Sequence, residues 1–124
     1  MNKELRKVVN FTKREMKYCP WVRTVKTREM IRRLKMEIRE LEKAKGKAEI
    51  MEETGDVAGT ALKLMFIAAR EHGISRKEIV RNYYEKMRRR KPHVVEGRKV
   101  SGRESTRVWK EAKRIERKGK GKRR

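Results

Sequence analysis

Four carboxylates occur as two pairs within residues 37 to 56. Glu37 and Glu40 are three residues apart, and so are Glu53 and Asp56. Residues with this separation project from the same face of an α-helix. If two such helices pack antiparallel, the four carboxylates surround one point. Carboxylate oxygens are the ligands that Mg²⁺ prefers, commonly together with a substrate phosphate, so the spacing predicts a metal site inside a helical bundle.

An ordinary solvated helix face is the alternative explanation, because glutamate is common at exposed helical positions. The distribution of charge favours a site. Residues 27 to 73 hold 9 acidic and 10 basic residues, whereas the whole chain has a formal net charge of +22. Asp56 is the only aspartate and follows Gly55 in an otherwise helical run, although aspartate is a poor helix former. This combination is more typical of a functional site than of a surface.

Length and composition limit the class of protein. A chain of 124 residues is expected to form one domain with one core. Charged residues make up 45% and hydrophobic residues 35%, so the core must be small or shared with a second subunit. No apolar run reaches the roughly 20 residues of a membrane span, and no signal-peptide pattern is present. The lone Cys19 excludes an internal disulfide or a zinc constellation and predicts a cytoplasmic protein.

Apolar residues spaced three and four apart predict an all-α protein. Four main helices are expected over residues 3 to 17, 27 to 44, 48 to 71 and about 75 to 91. Ser75 and Glu78 form a capping box at the start of the fourth, and Pro92 ends it. We expect a loop over residues 92 to 105, a short helix over 106 to 118 containing Trp109, and a basic tail. The predicted fold is therefore like a four-helix bundle with a short appended C-terminal helix.

Three sequence pieces in this order resemble a known family. Cys19-Pro20-Trp21 comes first, the four carboxylates follow, and residues 86 to 94 read KMRRRKPHV. This is similar to the MazG-type nucleoside triphosphate pyrophosphohydrolases of the all-α pyrophosphatase superfamily, with the pattern CPW, E-E-x-x-E, E-x-x-D and K-x-x-R-R-H-P-H-V. The resemblance covers about residues 19 to 95, and the basic helix around Trp109 resembles a family extension. It implies a MazG-like helical domain over 1–95, a loop and short helix over 96–118, and a basic tail over 119–124.

The resemblance also implies an activity. The expected reaction is hydrolysis of a nucleoside triphosphate between the α and β phosphates, which gives a nucleoside monophosphate and pyrophosphate. The expected cofactor is Mg²⁺, with Mn²⁺ as an alternative, and the expected assembly is a homodimer or homotetramer. By position, the metal ligands would be Glu37, Glu40, Glu53 and Asp56.

Lys86 and Arg90 match the family's phosphate-contacting and catalytic positions, and Trp21 lies where an aromatic ring can stack on a base. Lys86 and Arg90 are four residues apart, so both can face one cleft. The simpler interpretation is a basic last helical turn that complements the helix dipole. For Trp21, the simpler interpretation is that its side chain packs the first loop against the core.

Several positions depart from the family pattern. The family's first glutamate falls on Met36, whose thioether does not suit a hard cation. Glu49 lies four residues before Glu53 on the same helical face and is a candidate substitute. Val22 stands where an aspartate usually follows CPW, and Lys91 replaces a histidine. These departures predict a weakened or narrowed enzyme.

Two other functions remain open at this stage. The chain could be a catalytically degenerate family member that binds nucleotide or nucleic acid through its basic surface, with salt-dependent and nonspecific affinity. It could also be a related helical pyrophosphohydrolase acting on phosphoribosyl-ATP or dUTP, although the CPW and K-P-H-V pieces argue against this.

Overall fold

The computed structural model describes residues 2 to 122, and over this range the chain forms seven helices and no strand. The helices are α1 (Lys3–Tyr18), α2 (Pro20–Thr24), α3 (Thr27–Lys43), α4 (Gly46–His72), α5 (Arg76–Arg90), α6 (Pro92–Glu96) and α7 (Gly102–Lys122). The predicted all-α class is confirmed. The chain divides into two compact units, one ending at Arg76 and the other beginning at Lys77. The predicted domain boundaries at 95 and 118 stay predictions.

The first unit is built on an antiparallel pair formed by α3 and α4. Only Ala44 and Lys45 separate the two helices, and a connection this short makes neighbouring helices antiparallel. At the other end of the pair, the carboxylate of Glu71 accepts hydrogen bonds from the backbone N–H of Thr27 at 2.6 Å and from its hydroxyl at 2.8 Å. The last turn of α4 therefore caps the first turn of α3, and the two acidic segments face each other along the pair.

Helix α2 lies at the end of this pair where Glu71 caps α3, and α1 packs against α4. The side-chain oxygen of Asn2 caps α1 by accepting the N–H of Leu5 at 2.7 Å. Cys19 is extended because Pro20 follows, and Pro20 then occupies the first turn of the short α2, where its missing N–H is not needed. The guanidinium of Arg70 donates hydrogen bonds to the carbonyls of Val22 and Val25, which fixes the end of α2 against α4.

The core of the first unit is small, as its composition predicted. Val22, Val25, Met30 and Ile67 form one buried cluster, and Ile67 has no exposed surface. Met16, Cys19 and Leu64 pack around them while remaining partly exposed. Near the connection between α3 and α4, large apolar side chains are exposed to solvent. They are Met36, Ile38, Ile50 and Met51.

The second unit consists of α5, α6 and α7. Trp109 on α7 lies under two cations, with its ring centre 5.0 Å from the Arg90 guanidinium and 5.5 Å from the Lys91 ammonium. Glu116, two turns further along α7, accepts hydrogen bonds from Arg89 and Arg90. The end of α5 and the middle of α7 are therefore joined by charge and by cation–π contact.

The structure corrects the predicted C-terminal third. Residues 92 to 105 are not one loop, because Pro92 begins α6 at a position where proline is tolerated. The hydroxyl oxygen of Ser101 accepts the N–H of Glu104 at 3.1 Å and caps α7, which starts four residues earlier than expected. The appended helix is therefore longer than expected and runs on to Lys122. Residues 123 and 124 lie outside the described range, and α2 was not predicted.

Candidate metal centre and substrate cleft

Three of the four predicted ligands converge. Glu37 on α3 and Glu53 and Asp56 on α4 each offer one carboxylate oxygen, and these three oxygens lie within 4.8 Å of one another. The antiparallel pairing of α3 and α4 brings them together, although Glu37 and Asp56 are far apart in the sequence. Oxygen donors at this separation suit a hard divalent cation such as Mg²⁺.

Glu40 and Glu49 have different surroundings. Glu40 does not belong to the group of three converging carboxylates, but its charge acts on Glu53. Glu49, the candidate substitute for the missing glutamate, accepts the N–H of Lys45 at 2.8 Å through Oε2 and so caps the first turn of α4. Met36, at the position of the family's first glutamate, is exposed.

The electrostatics of Glu53 indicate a negative site. Partial burial raises the pKa of the Glu53 carboxyl above its ordinary value, and the neighbouring charge of Asp56 raises it further, followed by Glu52, Glu40 and Glu37. The nearby like charges disfavour ionisation of Glu53. The same arrangement favours a bound cation, because a cation relieves this repulsion.

Glu37 already has one cationic neighbour. Arg33, one turn earlier on α3, places Nε 3.2 Å from Oε1 of Glu37. The side chain of Glu37 is 15% exposed and that of Arg33 is 56% exposed, so the guanidinium lies at the solvent side of the carboxylate. This ion pair therefore orients the Glu37 carboxylate.

A cleft of about 550 Å³ opens beside this group. Charged residues from three helices line it, and they are Glu15, Arg33, Glu37, Asp56 and Lys63, with Thr60 adding a hydroxyl beside Asp56. Phe11 and Trp21 provide aromatic surface at the same cleft, and Gly55 and Gly59 leave space along α4. Trp21 is 49% exposed, so the predicted substrate contact has an open indole face beside the acidic group.

Lys86 and Arg90, the predicted phosphate contacts, belong to the second unit. Lys86 is half-buried on α5, one turn before Arg90. Arg90 makes a salt bridge with Glu116, with Nη2 2.8 Å from Oε1, and stacks on Trp109. This engagement lowers the pKa of Glu116, mainly through the hydrogen bond from Arg90.

Sequence reasoning missed the cleft residues Glu15, Arg33 and Lys63. Lys63 carried a usable signal, because it is the only charged residue between residues 57 and 69. A lone lysine in an apolar helical stretch needs a partner. Nothing in the local pattern of α1 marked Glu15, since its partner lies 48 residues away.

Comparison with known proteins identifies the family and the fold of the chain. Residues 26–95, more than half of the chain, match the family model of the MazG nucleotide pyrophosphohydrolase domain. The crystal structure of a MazG-related protein from Thermotoga maritima superposes with a TM-score of 0.82 and 28% sequence identity. The match covers 88% of this chain and 98% of that one. A search of curated proteins found no match.

The chain therefore belongs to the MazG nucleotide pyrophosphohydrolase domain family, as its sequence motifs predicted. Among the described residues, no helix combines the length and the apolar character needed to cross a membrane.

Proposed function

We propose that this protein hydrolyses nucleoside triphosphates to nucleoside monophosphate and pyrophosphate in a reaction that depends on Mg²⁺. The observation that carries the proposal is the convergence of Glu37, Glu53 and Asp56 beside a cleft. Membership of the MazG family supports the same reaction. Water would add to the α phosphorus, and the bond between that phosphorus and the bridging oxygen to the β phosphate would break.

Glu37, Glu53 and Asp56 would hold the cation, and the charge of Glu40 would add to its attraction. When bound, a divalent cation there would neutralise phosphate charge and lower the pKa of an attacking water. Mn²⁺ also accepts carboxylate ligands and is the alternative. Met36 leaves the site one carboxylate short of the family pattern, which is why we expect slow turnover.

Trp21 is proposed to stack on the nucleobase. Its half-exposed indole lines the cleft that also contains Glu37 and Asp56. Stacking on an aromatic ring is tolerant of base identity. Replacing Trp21 with Leu should therefore raise KM for nucleoside triphosphates while leaving affinity for inorganic tripolyphosphate unchanged.

Lys86 and Arg90 remain proposed phosphate contacts and catalytic residues. A lysine and a forked guanidinium both suit phosphate oxygens. Arg90 would have to exchange its carboxylate partner Glu116 for a phosphate. Lys86→Met, with Lys77→Met on the same helix as the control, tests the first of these contacts through KM and kcat.

A second copy of the chain is proposed as the partner. The buried core is small, while Met36, Ile38, Ile50 and Met51 are exposed on α3 and α4. Large apolar side chains left exposed beside a small core are candidates for burial at a subunit interface. Light scattering after gel filtration tests this, with Met51→Glu expected to shift a dimer or tetramer to monomer. Nonspecific binding of nucleic acid and a cytoplasmic location stay predictions.

The experiment that tests the function is a pyrophosphate-release assay with the four dNTPs and the four NTPs in excess Mg²⁺. Glu53→Gln removes one ligand charge, and Glu42→Gln, an exposed residue on α3, is the matched control. We expect turnover by the native chain and by Glu42→Gln, with loss in Glu53→Gln. Native turnover no greater than that of Glu53→Gln would remove the proposal.

A further inference from the structure

A half-buried ion pair stands in the cleft beside the acidic group. Lys63 Nζ lies 3.1 Å from Oε2 of Glu15, and the two side chains are 23% and 18% exposed. Both residues line the cleft that also contains Glu37 and Asp56. Lys63 interrupts the apolar stretch of α4, and a charge in such surroundings is tolerated only with a partner.

Lys63 follows the acidic group along one face of α4. It comes seven residues after Asp56, just under two helical turns, which is about 10.5 Å along the helix axis. Thr60 lies between them and also lines the cleft. Helical side chains lean toward the N-terminus, so the long lysine side chain leans toward Asp56. A carboxylate, a hydroxyl and an ammonium therefore follow one another along the cleft wall.

Arg33 and Lys63, the two cationic side chains of this cleft, differ in whether their carboxylate partner belongs to the acidic group. Arg33 is held by Glu37, a member of the acidic group, and its guanidinium lies toward solvent. Lys63 is instead held by Glu15, which does not belong to that group. An ammonium is a compact cation with three donors and binds phosphate oxygens well. Exchange of the Glu15 carboxylate for a phosphate would leave the half-buried ammonium paired throughout.

We infer that Lys63 binds a phosphate group of the substrate, and that Glu15 holds its ammonium until a metal-bound triphosphate replaces the carboxylate. The inference rests on the proposed function and deepens it by adding a substrate-contacting residue to the same cleft. Glu15 is then a competitor of the substrate for Lys63. Removal of Lys63 weakens triphosphate binding, whereas removal of the Glu15 charge strengthens it.

A purely structural role predicts something different. If the ion pair only ties α1 to α4, loss of either partner loosens the same contact, so both substitutions act in the same direction. The sign of the Glu15 effect therefore separates the two roles, which a loss of activity in the Lys63 variant alone would not do.

The test is isothermal titration of the full chain with inorganic tripolyphosphate in excess Mg²⁺, a probe that has no base or sugar. Lys63→Met should weaken binding about 10-fold or more, because a charge-assisted hydrogen bond is lost. Glu15→Gln should tighten it about two- to fivefold, the range expected for release of one ion pair. Lys47→Met on α4 and Glu4→Gln on α1 make the same charge changes outside the cleft and should shift affinity less than the paired cleft variants.

The inference is overturned if the native chain does not bind Mg²⁺-tripolyphosphate, if Lys63→Met binds as Lys47→Met does, or if Glu15→Gln binds no tighter than Glu4→Gln. Should Lys63→Met fail to fold, the comparison of Glu15→Gln with Glu4→Gln decides alone. Binding is measured without turnover. If the two affinity changes have the expected signs but no pyrophosphate is released, Lys63 remains a phosphate contact and only the proposed hydrolysis fails. If pyrophosphate is released but the affinity changes lack these signs, only the role of Lys63 fails.

Discussion

The guanidinium of Arg90 donates a hydrogen bond to Glu116 at 2.8 Å, and the two side chains are only 15% and 17% exposed. Arg90 also lies over the ring of Trp109. A residue that the family pattern marks for phosphate is thus the point at which α5 holds α7. Any role of Arg90 toward a nucleotide has to compete with this internal partner.

Loss of the Arg90 side-chain charge should loosen α7. In Arg90→Met, the salt bridge and the cation–π contact are both removed, and the free energy of local opening of α7 should fall by about 1–3 kcal/mol. Native-state hydrogen exchange of the amides between residues 105 and 118 measures this. Arg88→Met is the control, because the Arg88–Glu85 pair is half exposed and lies within α5. Unchanged exchange in Arg90→Met would show that other contacts hold α7.

The two hydrogen bonds that Glu71 accepts from Thr27 should make the stability of the first unit fall at acidic pH. The two hydrogen bonds from Thr27 lower the pKa of Glu71. A carboxyl whose pKa is lower in the folded state stabilises the fold above its unfolded pKa, and this contribution is lost as pH falls through the folded value. Glu71→Gln should therefore lower Tm at pH 7, and the difference from the native chain should shrink below about pH 4.

Glu42→Gln removes a similar charge from an exposed position of α3 and should change Tm less at pH 7. A Tm difference for Glu71→Gln that stays constant from pH 7 to pH 3 would contradict a role for the ionised carboxylate.

Metal binding should appear as a change in stability. In metal-free buffer, Glu53→Gln should raise Tm, because the substitution removes repulsion with Asp56 and the neighbouring glutamates. Mg²⁺ at 100 times its Kd should stabilise the native chain by about 2.7 kcal/mol, since only the folded state holds the site. NaCl at the same ionic strength controls for screening. An equal response of the native chain and of Glu53→Gln to Mg²⁺ would place the ion elsewhere.

Gly59 leaves space in the cleft at a cost to helix stability. An added Cβ there meets no atom within 4 Å, so the fold accepts alanine. Gly59→Ala should raise the free energy of unfolding by about 0.5–1 kcal/mol, as expected for glycine replacement inside a helix. Gly59→Leu should instead weaken Mg²⁺-tripolyphosphate binding, because its side chain enters the cleft.

Ala58→Leu is the matched control, since Ala58 is exposed and does not line the cleft. Urea unfolding and titration of all three variants provide the measurements. Equal affinities for the two leucine variants would mean that the space beside Gly59 is not used by the ligand.

The sequence by itself determined the four main helices and the membership of the acidic pairs. Periodic apolar residues and Pro20 placed α1, α3 and α4 close to their observed bounds, because helix formation depends on neighbours three and four residues apart. The start of α7 was also readable, since Ser101 and Glu104 have capping-box spacing that the prediction passed over. Local chemistry was sufficient for all of these features.

The tertiary structure decided which charged groups meet. Spacing placed Glu40 and Glu37 on one helical face, but only the antiparallel contact of α3 with α4 selected Glu37 to join Glu53 and Asp56. The partner of Lys63 lies on another helix. Such pairings depend on how whole helices pack across long stretches of chain, and short-range sequence patterns carry no record of that packing.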